Sequence, residues 1–225
     1  MGWGRAMKPK LILASSSPRR LELLSGLGFD LDVIPSHVPE VPGPGERPED
    51  YVVRLAVEKG TEVGRKRPGA WIISADTVVV LGDRMLEKPL DEADACSMLG
   101  LIAGKTHTVY TGLALQQFDG DGGIAASCHD LARSSVTMIP LSDDDIRKYV
   151  STGEPMDKAG AYAVQGIGAM LIDSIDGSYS NVVGLPLATL FRMLRQVGID
   201  PLGAIGATRT RSPMGFRPGK PGEAR

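Results

Sequence analysis

Two long β-rich runs separated by a short glycine-rich segment constrain the fold of this chain more than any other feature. Residues 106–118 and 124–139 are rich in Thr, Val, Leu and Ile, and the segment between them reads Asp-Gly-Asp-Gly-Gly. Asp-Gly pairs between β-rich runs are typical of a hairpin turn. Before this hairpin, short apolar runs alternate with amphipathic segments, the pattern of strands that alternate with helices. We therefore predict an α/β fold with a mixed β-sheet flanked by helices.

The other elements follow from apolar spacing and from residues that begin or end helices. Ser17 and Asp91 are of the type that caps a helix N-terminus, and Ser142 with Asp145 has the spacing of a capping box. Predicted strands cover 10–14, 31–35, 71–75 and 169–175, and predicted helices cover 18–28, 49–65, 91–103, 142–153 and 186–197. After Asp76 and Thr77, residues 78–81 continue in β-branched character before Gly82 and Asp83 turn the chain back into 85–86.

Composition places the chain among ordinary globular proteins. Its 225 residues are 42% hydrophobic and 23% charged, a length that suits one large domain or two small intimate ones. The formal net charge of -2 argues against the basic excess that non-specific nucleic-acid binding requires. No apolar run reaches the roughly 18 residues of a membrane span, and the N-terminus lacks the apolar stretch of a secretory signal. We expect a cytoplasmic protein with neither nucleic acid nor membrane as a partner.

A central domain with two peripheral ends is the expected organisation. Residues 1–9 form a short N-terminal extension, and residues 10–202 carry the predicted elements. Residues 203–225 are rich in Thr, Gly, Pro and Arg and have few apolar side chains. Because such a segment buries too little apolar surface to fold, we expect a disordered tail. Cys96 and Cys128 are too few for a disulfide framework.

A hydroxyl-rich and arginine-rich segment lies where the first predicted strand becomes a helix. It contains Ser15, Ser16 and Ser17, followed by Pro18 and then by Arg19 and Arg20. Free backbone N–H groups at a helix N-terminus favour an anion, and arginine presents a planar fork of donors to phosphate oxygens. The alternative is a well-capped helix with two solvated arginines. From this segment alone, both interpretations stay open.

Asp76 follows the apolar run Trp71–Ala75, which has the character of a buried strand. The end of a buried strand in an α/β sheet opens onto the usual ligand crevice. A carboxylate placed there can hold a divalent metal or accept a proton from water. The alternative is a structural carboxylate that caps a turn through Thr77. The pairs Glu58-Lys59 and Glu87-Lys88 could be ordinary surface charges.

Several short segments occur in a defined order along the chain. They read LASSSPRR at 13–20, YVVRLAVEK at 51–59, SADTVV at 74–79, EKP at 87–89, GKTHTV at 104–109, TGEPMDKAGAY at 152–162 and NVVGLP at 181–186. This ordered set, from about Leu11 to Leu190, resembles the Maf family of nucleoside triphosphate pyrophosphatases. The resemblance implies a fold similar to that of inosine triphosphate pyrophosphatases, an elongated mixed sheet with helices around a central cleft. It also implies a homodimer.

The chemistry that the resemblance implies is hydrolysis of a nucleoside triphosphate to the monophosphate and pyrophosphate, with a divalent cation such as magnesium or manganese. Asp76 matches the proposed proton acceptor of the family, and Glu40 and Asp76 fall where the family handles its metal. Phosphate contacts are implied for a further set of residues: Ser15, Arg20, Lys59 and Lys88.

Arg19, Thr77 and Gln165 occupy the positions that separate two branches of the family. One branch acts on dTTP and UTP, and the other acts on 7-methyl-GTP. Gln165 matches the pyrimidine branch, and its amide can donate to a base carbonyl while accepting from the N3–H of uracil or thymine. The resemblance therefore implies dTTP and UTP as substrates, with removal of non-standard nucleotides as a related role. A 7-methyl-GTP pyrophosphatase and a non-catalytic nucleotide-binding regulator of cell division remain as alternatives.

Overall fold

The computed structural model describes residues 9–204 of the chain. The predicted N-terminal extension at 1–9 and the predicted disordered tail at 203–225 lie outside this range, except for residues 9, 203 and 204. Both therefore stay predictions. Among the described residues, none of the helices combines the length and the apolar character needed to cross a membrane.

A seven-stranded sheet forms the centre of the molecule, in the order β2-β1-β3-β5-β6-β7, with β4 paired to β3. β1 runs parallel to β2 and β3, whereas the other pairs are antiparallel. The predicted mixed α/β sheet is therefore confirmed. The strands are β1 (Leu11–Leu13), β2 (Leu31–Val33), β3 (Trp71–Leu81), β4 (Arg84–Leu86), β5 (Thr106–Phe118), β6 (Ile124–Met138) and β7 (Ile172–Asp176).

Helices flank this sheet, and those that matter for the cleft are α1, α2 and α5. α1 begins at Pro18 after the N-cap Ser17, and the predicted capping box of Ser142 and Asp145 begins α4. The three 3-10 segments at 154–171 were not predicted, because their Gly-rich sequence has no helical periodicity. The five-residue α5 was not predicted either, because it is too short to show a helical period. The helices are α1 (Pro18–Gly26), α2 (Pro48–Gly64), α3 (Glu92–Ile102), α4 (Asp143–Val150), α5 (Tyr179–Val183), α6 (Leu187–Gln196) and α7 (Pro201–Ala204).

β3 runs without interruption through Asp76, so the prediction that the strand ends there is wrong. Asp76 pairs with Gly112 of β5, and the ladder between the two strands continues to Val80. Polar side chains do not break a ladder made by backbone groups. The carboxylate is accommodated because a lysine from α2 lies against it, as described below.

One edge of β3 is open at its middle. β5 occupies one edge from Trp71 to Val80, whereas the opposite edge is shared by β1 at 71–73 and β4 at 79–81. Within the described part of the chain, residues 74–78 therefore have no strand partner on that edge. This gap exposes the middle of β3 to a cleft instead of to another strand.

Two apolar cores lie at the two ends of the gap. One packs Leu24 of α1 and Leu194 of α6 against Ile73 and Leu113 of the sheet. The other packs α3 and α4 against the sheet around Val79. Each buried Leu or Ile side chain contributes about 1.5–3 kcal/mol. The rigid cores therefore hold the polar middle of β3 between them.

α2 approaches the sheet closely where it delivers its lysine. A Cβ on Gly60 would collide with the side-chain amide of Gln116 on β5, so only glycine fits there. Ser74 of β3 donates its hydroxyl to the carbonyl of Ala56 at 2.7 Å and ties the helix to the strand. This close contact positions the neighbouring Lys59 over the middle of β3.

Candidate active site

A cleft of about 280 Å³ opens beside the gap in β3. This volume is at the lower end of the range usual for small-molecule sites. Its walls come from the β1–α1 connection, α2, β3, the segment after β4, the loop at 157–165 and α5. The lining includes every side chain that the sequence analysis selected: Ser15, Arg19, Arg20, Glu40, Lys59, Asp76, Thr77, Lys88 and Gln165.

The β1–α1 connection forms one wall of the cleft. Ser15 is buried, and its hydroxyl accepts from the backbone N–H of Ser17 at 3.1 Å. Pro18 is the first residue of α1 and has no N–H, which fits the N1 position. The wall therefore combines a helix N-terminus with hydroxyl groups, an arrangement that favours an anion.

Arg20 is held rigidly by three protein oxygens. Its guanidinium donates to the carbonyl of Gly184 at 2.7 Å, to the hydroxyl of Ser15 at 3.2 Å and to the hydroxyl of Thr77 at 3.1 Å. Burial lowers the pKa of Arg20, although Asp76 and Glu40 act in the opposite direction. The interpretation of Arg20 as a freely solvated residue is therefore wrong.

Lys59 bridges two carboxylates at the centre of the cleft. Its Nζ donates to Asp76 Oδ1 at 2.6 Å and to Glu40 Oε1 at 2.5 Å. Lys59 and Asp76 are each only 6% exposed, so this ion pair is shielded from water. The pairing also explains why a carboxylate tolerates the interior of β3, because a buried charge requires a partner.

Glu40 continues the charged cluster towards solvent. Its second carboxylate oxygen, Oε2, accepts from Lys88 Nζ at 3.1 Å. Burial raises the pKa of Glu40, but the two ammonium groups outweigh it and hold that pKa at about 2. Glu40 is therefore ionised throughout the neutral range.

Tyr51 and Glu87 line the cleft but carried no assigned role in the sequence analysis. The Tyr51 hydroxyl donates to Glu87 Oε1 at 2.6 Å, and burial together with Glu87 raises the pKa of Tyr51. Tyr51 stands on the apolar stripe of α2, so its spacing indicated only a core residue. Its pairing with a residue on a different element had no local signal.

The loop at 157–165 closes the opposite side of the cleft. Arg19 donates to Asp157 Oδ2 at 2.8 Å, which links α1 to this loop. Thr77 shares a hydrogen bond of 2.9 Å with the hydroxyl of Thr111, so its orientation is fixed from both sides. Gln165 is half-buried at the end of the same loop.

The charges that line the cleft nearly balance. Five basic and four acidic side chains face it, which leaves one positive charge in excess. The basic side chains are Arg19, Arg20, Lys59, Lys88 and Lys158, and the acidic ones are Glu40, Asp76, Glu87 and Asp157. One excess positive charge cannot neutralise a triphosphate, so an added cation would be needed to bind one tightly.

The donor set for such a cation is small. Within residues 9–204, no group of three or more His, Cys, Asp or Glu side chains is arranged to hold a metal ion. Asp76 and Glu40 nevertheless bring two carboxylate oxygens to the same ammonium group. Mg²⁺ is commonly bound by one or two carboxylates together with substrate phosphates and water. The two carboxylates therefore fit a cation that arrives with a phosphate ligand.

Comparison with known proteins identifies the family of this chain. The profile of the family described as Maf-like protein matches residues 10–197. A protein of Geobacter sulfurreducens named dTTP/UTP pyrophosphatase is 46% identical over 191 residues, covering 85% of this chain and 98% of its own. A protein of the same name from Geotalea uraniireducens is 48% identical over 191 residues, covering 85% and 96%.

A relative from Myxococcus xanthus has the same name and is 45% identical over 192 residues, covering 84% of this chain and 93% of its own. A crystal structure of a Vibrio cholerae protein is 13% identical, covers 65% of this chain and 78% of its own, and gives a TM-score of 0.34. That structural likeness is too low to support any argument. The family match and the curated relatives span nearly the whole described domain, and the chain belongs to the Maf family.

Proposed function

We propose that this chain hydrolyses dTTP and UTP to the nucleoside monophosphate and pyrophosphate. The observation that carries the proposal is the buried Lys59 bridging Asp76 and Glu40 beside the Arg20 clamp, in a chain whose relatives are named dTTP/UTP pyrophosphatases. Nucleotide pyrophosphatase chemistry needs a polyanion site and a group that activates water, and this cleft offers both.

The triphosphate binds along the basic wall of the cleft. Ser15 and the free N–H groups at the start of α1 contact phosphate oxygens, and Arg20 contributes its remaining guanidinium donors. Lys59 and Lys88 provide ammonium groups on the other side. In the absence of substrate both lysines are engaged with Glu40, and binding exchanges that pairing for phosphate.

A divalent cation, magnesium or manganese, would be held by Asp76 and Glu40 together with the phosphates. When bound, it neutralises part of the charge of the triphosphate and polarises the reacting phosphoryl group. Lys59, which pairs with both carboxylates in this structure, and Lys88, which pairs with Glu40, would then be released to the substrate.

Asp76 is the residue that we assign to water activation. Its carboxylate lines the cleft and is held through Oδ1 by Lys59. It accepts a proton from, or orients, a water molecule that attacks the α-phosphorus in line with the leaving pyrophosphate. Phosphoryl transfer depends mainly on such positioning and on charge stabilisation, so no covalent intermediate is required.

Base selection belongs to the far side of the cleft. Gln165 presents an amide whose oxygen and N–H₂ complement the N3–H and carbonyl of uracil and thymine. Arg19 and Thr77 support the base indirectly, since both side chains are already fixed by protein partners. The names of the relatives do not favour 7-methyl-GTP hydrolysis or a non-catalytic regulator.

The experiment compares wild type and the Gln165→Glu variant on a panel of nucleoside triphosphates, with pyrophosphate release as the measured quantity. Wild type should cleave dTTP and UTP about tenfold to hundredfold faster than ATP, GTP and 7-methyl-GTP, because a mismatched base leaves polar groups unpaired. Gln165→Glu should erode that preference, since a carboxylate cannot donate to a carbonyl. Fastest hydrolysis of 7-methyl-GTP, or a ranking that Gln165→Glu leaves unchanged, contradicts the base assignment.

The proposal extends to a homodimer that works in the cytoplasm on free nucleotides. It rests on the family resemblance and not on a described interface. Light scattering on the purified chain measures the assembly directly, and a monomeric mass at working concentration contradicts the dimer.

A further inference from the structure

Two side chains outside the cleft wall hold the loop that carries Gln165. Tyr149, near the end of α4, donates its hydroxyl to Glu154 Oε2 at 2.8 Å. The same hydroxyl accepts from the backbone N–H of Ala163 at 3.0 Å. Neither Tyr149 nor Glu154 lines the cleft. The pair nevertheless contacts the loop two residues before Gln165.

Glu154 also contacts the loop after Gln165. Its Oε1 accepts from the backbone N–H of Ile167 at 3.0 Å, and its Oε2 accepts from the N–H of Gly168 at 2.8 Å. Backbone groups on both sides of Gln165 are therefore bound to one tyrosine–glutamate pair. This pair is called the Tyr149–Glu154 anchor below.

The loop is wrapped closely around the anchor. Gly166, directly after Gln165, has φ of +63°, and a Cβ there would collide with Glu154 Oε1. Gly168 approaches as closely, since a Cβ on it would lie 2.6 Å from the Tyr149 hydroxyl. Glycine at these positions lets the backbone reach the carboxylate and the hydroxyl without a steric penalty.

The anchor is charged, with Tyr149 buried and Glu154 half-buried. Burial raises the pKa of Glu154, but hydrogen bonds from Gly168, Tyr149 and Ile167 outweigh it and hold that pKa below its usual value. Burial raises the pKa of Tyr149, so its hydroxyl stays protonated and remains a donor. Hydrogen bonds to an ionised carboxylate are roughly twice as strong as neutral ones.

We propose that Tyr149 and Glu154 are positioning residues for base selectivity, because they fix the backbone on both sides of Gln165 and so set where its amide meets the pyrimidine edge. This inference rests on the proposed function. A side chain that discriminates between bases must be held in place, since a displaced amide loses the geometry that rejects the wrong base. The anchor provides that support from outside the site.

Two variants test the anchor by different chemistry. Tyr149→Phe removes the acceptor for Ala163 N–H and the donor to Glu154 while keeping the ring. Glu154→Gln keeps the shape but turns one acceptor oxygen into a donor, which opposes a backbone N–H of Ile167 or Gly168. Each variant should lower kcat/KM for dTTP about tenfold, mainly through KM, and reduce the dTTP-to-ATP ratio by a similar factor.

Inorganic tripolyphosphate separates loss of base recognition from general damage. As a competitive inhibitor it occupies the phosphate-binding side of the cleft without a base. Its inhibition constant should stay within about twofold of wild type in both variants, because the side chains assigned to phosphate bond to residues other than Tyr149 and Glu154. Tyr179→Phe makes the same chemical change at a half-exposed tyrosine outside the cleft lining and should leave all these values unchanged.

The outcomes distinguish this inference from the function on which it rests. A wild-type enzyme that does not prefer dTTP over ATP overturns the proposed function, and the inference with it. If wild type prefers dTTP and both Tyr149→Phe and Glu154→Gln keep that preference undiminished, the inference alone is overturned. Tripolyphosphate inhibition that weakens as much as dTTP turnover also overturns it, since the pair would then be a general structural support.

Discussion

Replacing Asp76 by Asn tests the centre of the cleft with the smallest change in shape. The substitution removes the negative charge opposite Lys59 Nζ, which lies 2.6 Å from Asp76 Oδ1. Asn cannot accept a proton from water at neutral pH and is a poor ligand for a hard divalent cation. Loss of a general base typically lowers kcat by about 10²–10⁴. We expect a loss in that range for pyrophosphate release from dTTP.

The cost in stability should be much smaller than the cost in activity. Lys59 keeps its other partner, Glu40 Oε1, at 2.5 Å, so the ammonium is not left unpaired. A hydrogen bond to a charged group contributes about 1.5–3 kcal/mol, so we expect the free energy of unfolding to fall by about 2 kcal/mol. For a chain of this length that lowers Tm by about 4–8 °C. The variant therefore stays folded at 25 °C.

The assay pairs pyrophosphate release with thermal unfolding of the same preparation. Asp83→Asn makes the same chemical change in the exposed turn between β3 and β4, and it should alter neither kcat nor Tm. Turnover of Asp76→Asn within about threefold of wild type at matched magnesium refutes the assigned role, since far less than the expected loss would have occurred. Complete unfolding of the variant contradicts the stability reasoning.

Three further predictions use groups whose burial differs. Lys59→Ala should abolish turnover and lower the free energy of unfolding by about 3–5 kcal/mol, because it leaves the buried Asp76 unpaired. Lys88→Ala should raise KM with little loss of stability, because the Lys88 side chain is 58% exposed. Denaturant titrations and kinetics measure both variants, and equal effects of Lys59→Ala and Lys88→Ala contradict the difference in burial as the cause. Burial holds the pKa of His107 at about 4, so the unfolded state takes up a proton first as pH falls below about 6.5. The free energy of unfolding should therefore fall by about 3 kcal/mol between pH 6.5 and 4 because of His107. Urea titrations at both pH values should show this contribution in wild type and not in His107→Gln. An equal fall in the two proteins argues against the buried neutral imidazole.

The elements that could be predicted are those whose signal is local. The hairpin of β5 and β6 was readable from its turn residues and its β-branched strands, and its bounds differ from the prediction by one residue at Met138. The capping box of Ser142 and Asp145 was readable from a three-residue spacing. Such signals survive folding because they depend on neighbours in the chain.

The β-branched run at 78–81 indicated that β structure resumes after Asp76, but the continuity of β3 through Asp76 had no local signal. A carboxylate at Asp76 inside an apolar run is typical of a strand end, because a buried charge without a partner is costly. The partner, Lys59, is 17 residues away on another element, and only the packing of α2 brings it there. The functional interpretation of Asp76 was drawn from that expected strand end. In the folded chain Asp76 reaches the cleft from the middle of β3 instead, and its role remains a proposal.

Residues that act through the backbone of a loop were also beyond prediction. The Tyr149–Glu154 anchor binds N–H groups at Ala163, Ile167 and Gly168, and backbone donors carry no side-chain identity in a sequence. The run of glycines around Gln165 indicated only irregular structure. Its purpose, close approach to a carboxylate and a hydroxyl, becomes visible once the loop has been folded onto α4.

Hydrolysis of dTTP in water enriched in oxygen-18, with magnesium present and the products analysed by mass spectrometry, tests the central claim most directly. Attack of water on the α-phosphorus should give dTMP and pyrophosphate in equal amounts, with the heavy oxygen in dTMP and none in pyrophosphate. Formation of dTDP and orthophosphate, appearance of the label in pyrophosphate, or absence of hydrolysis would each contradict it.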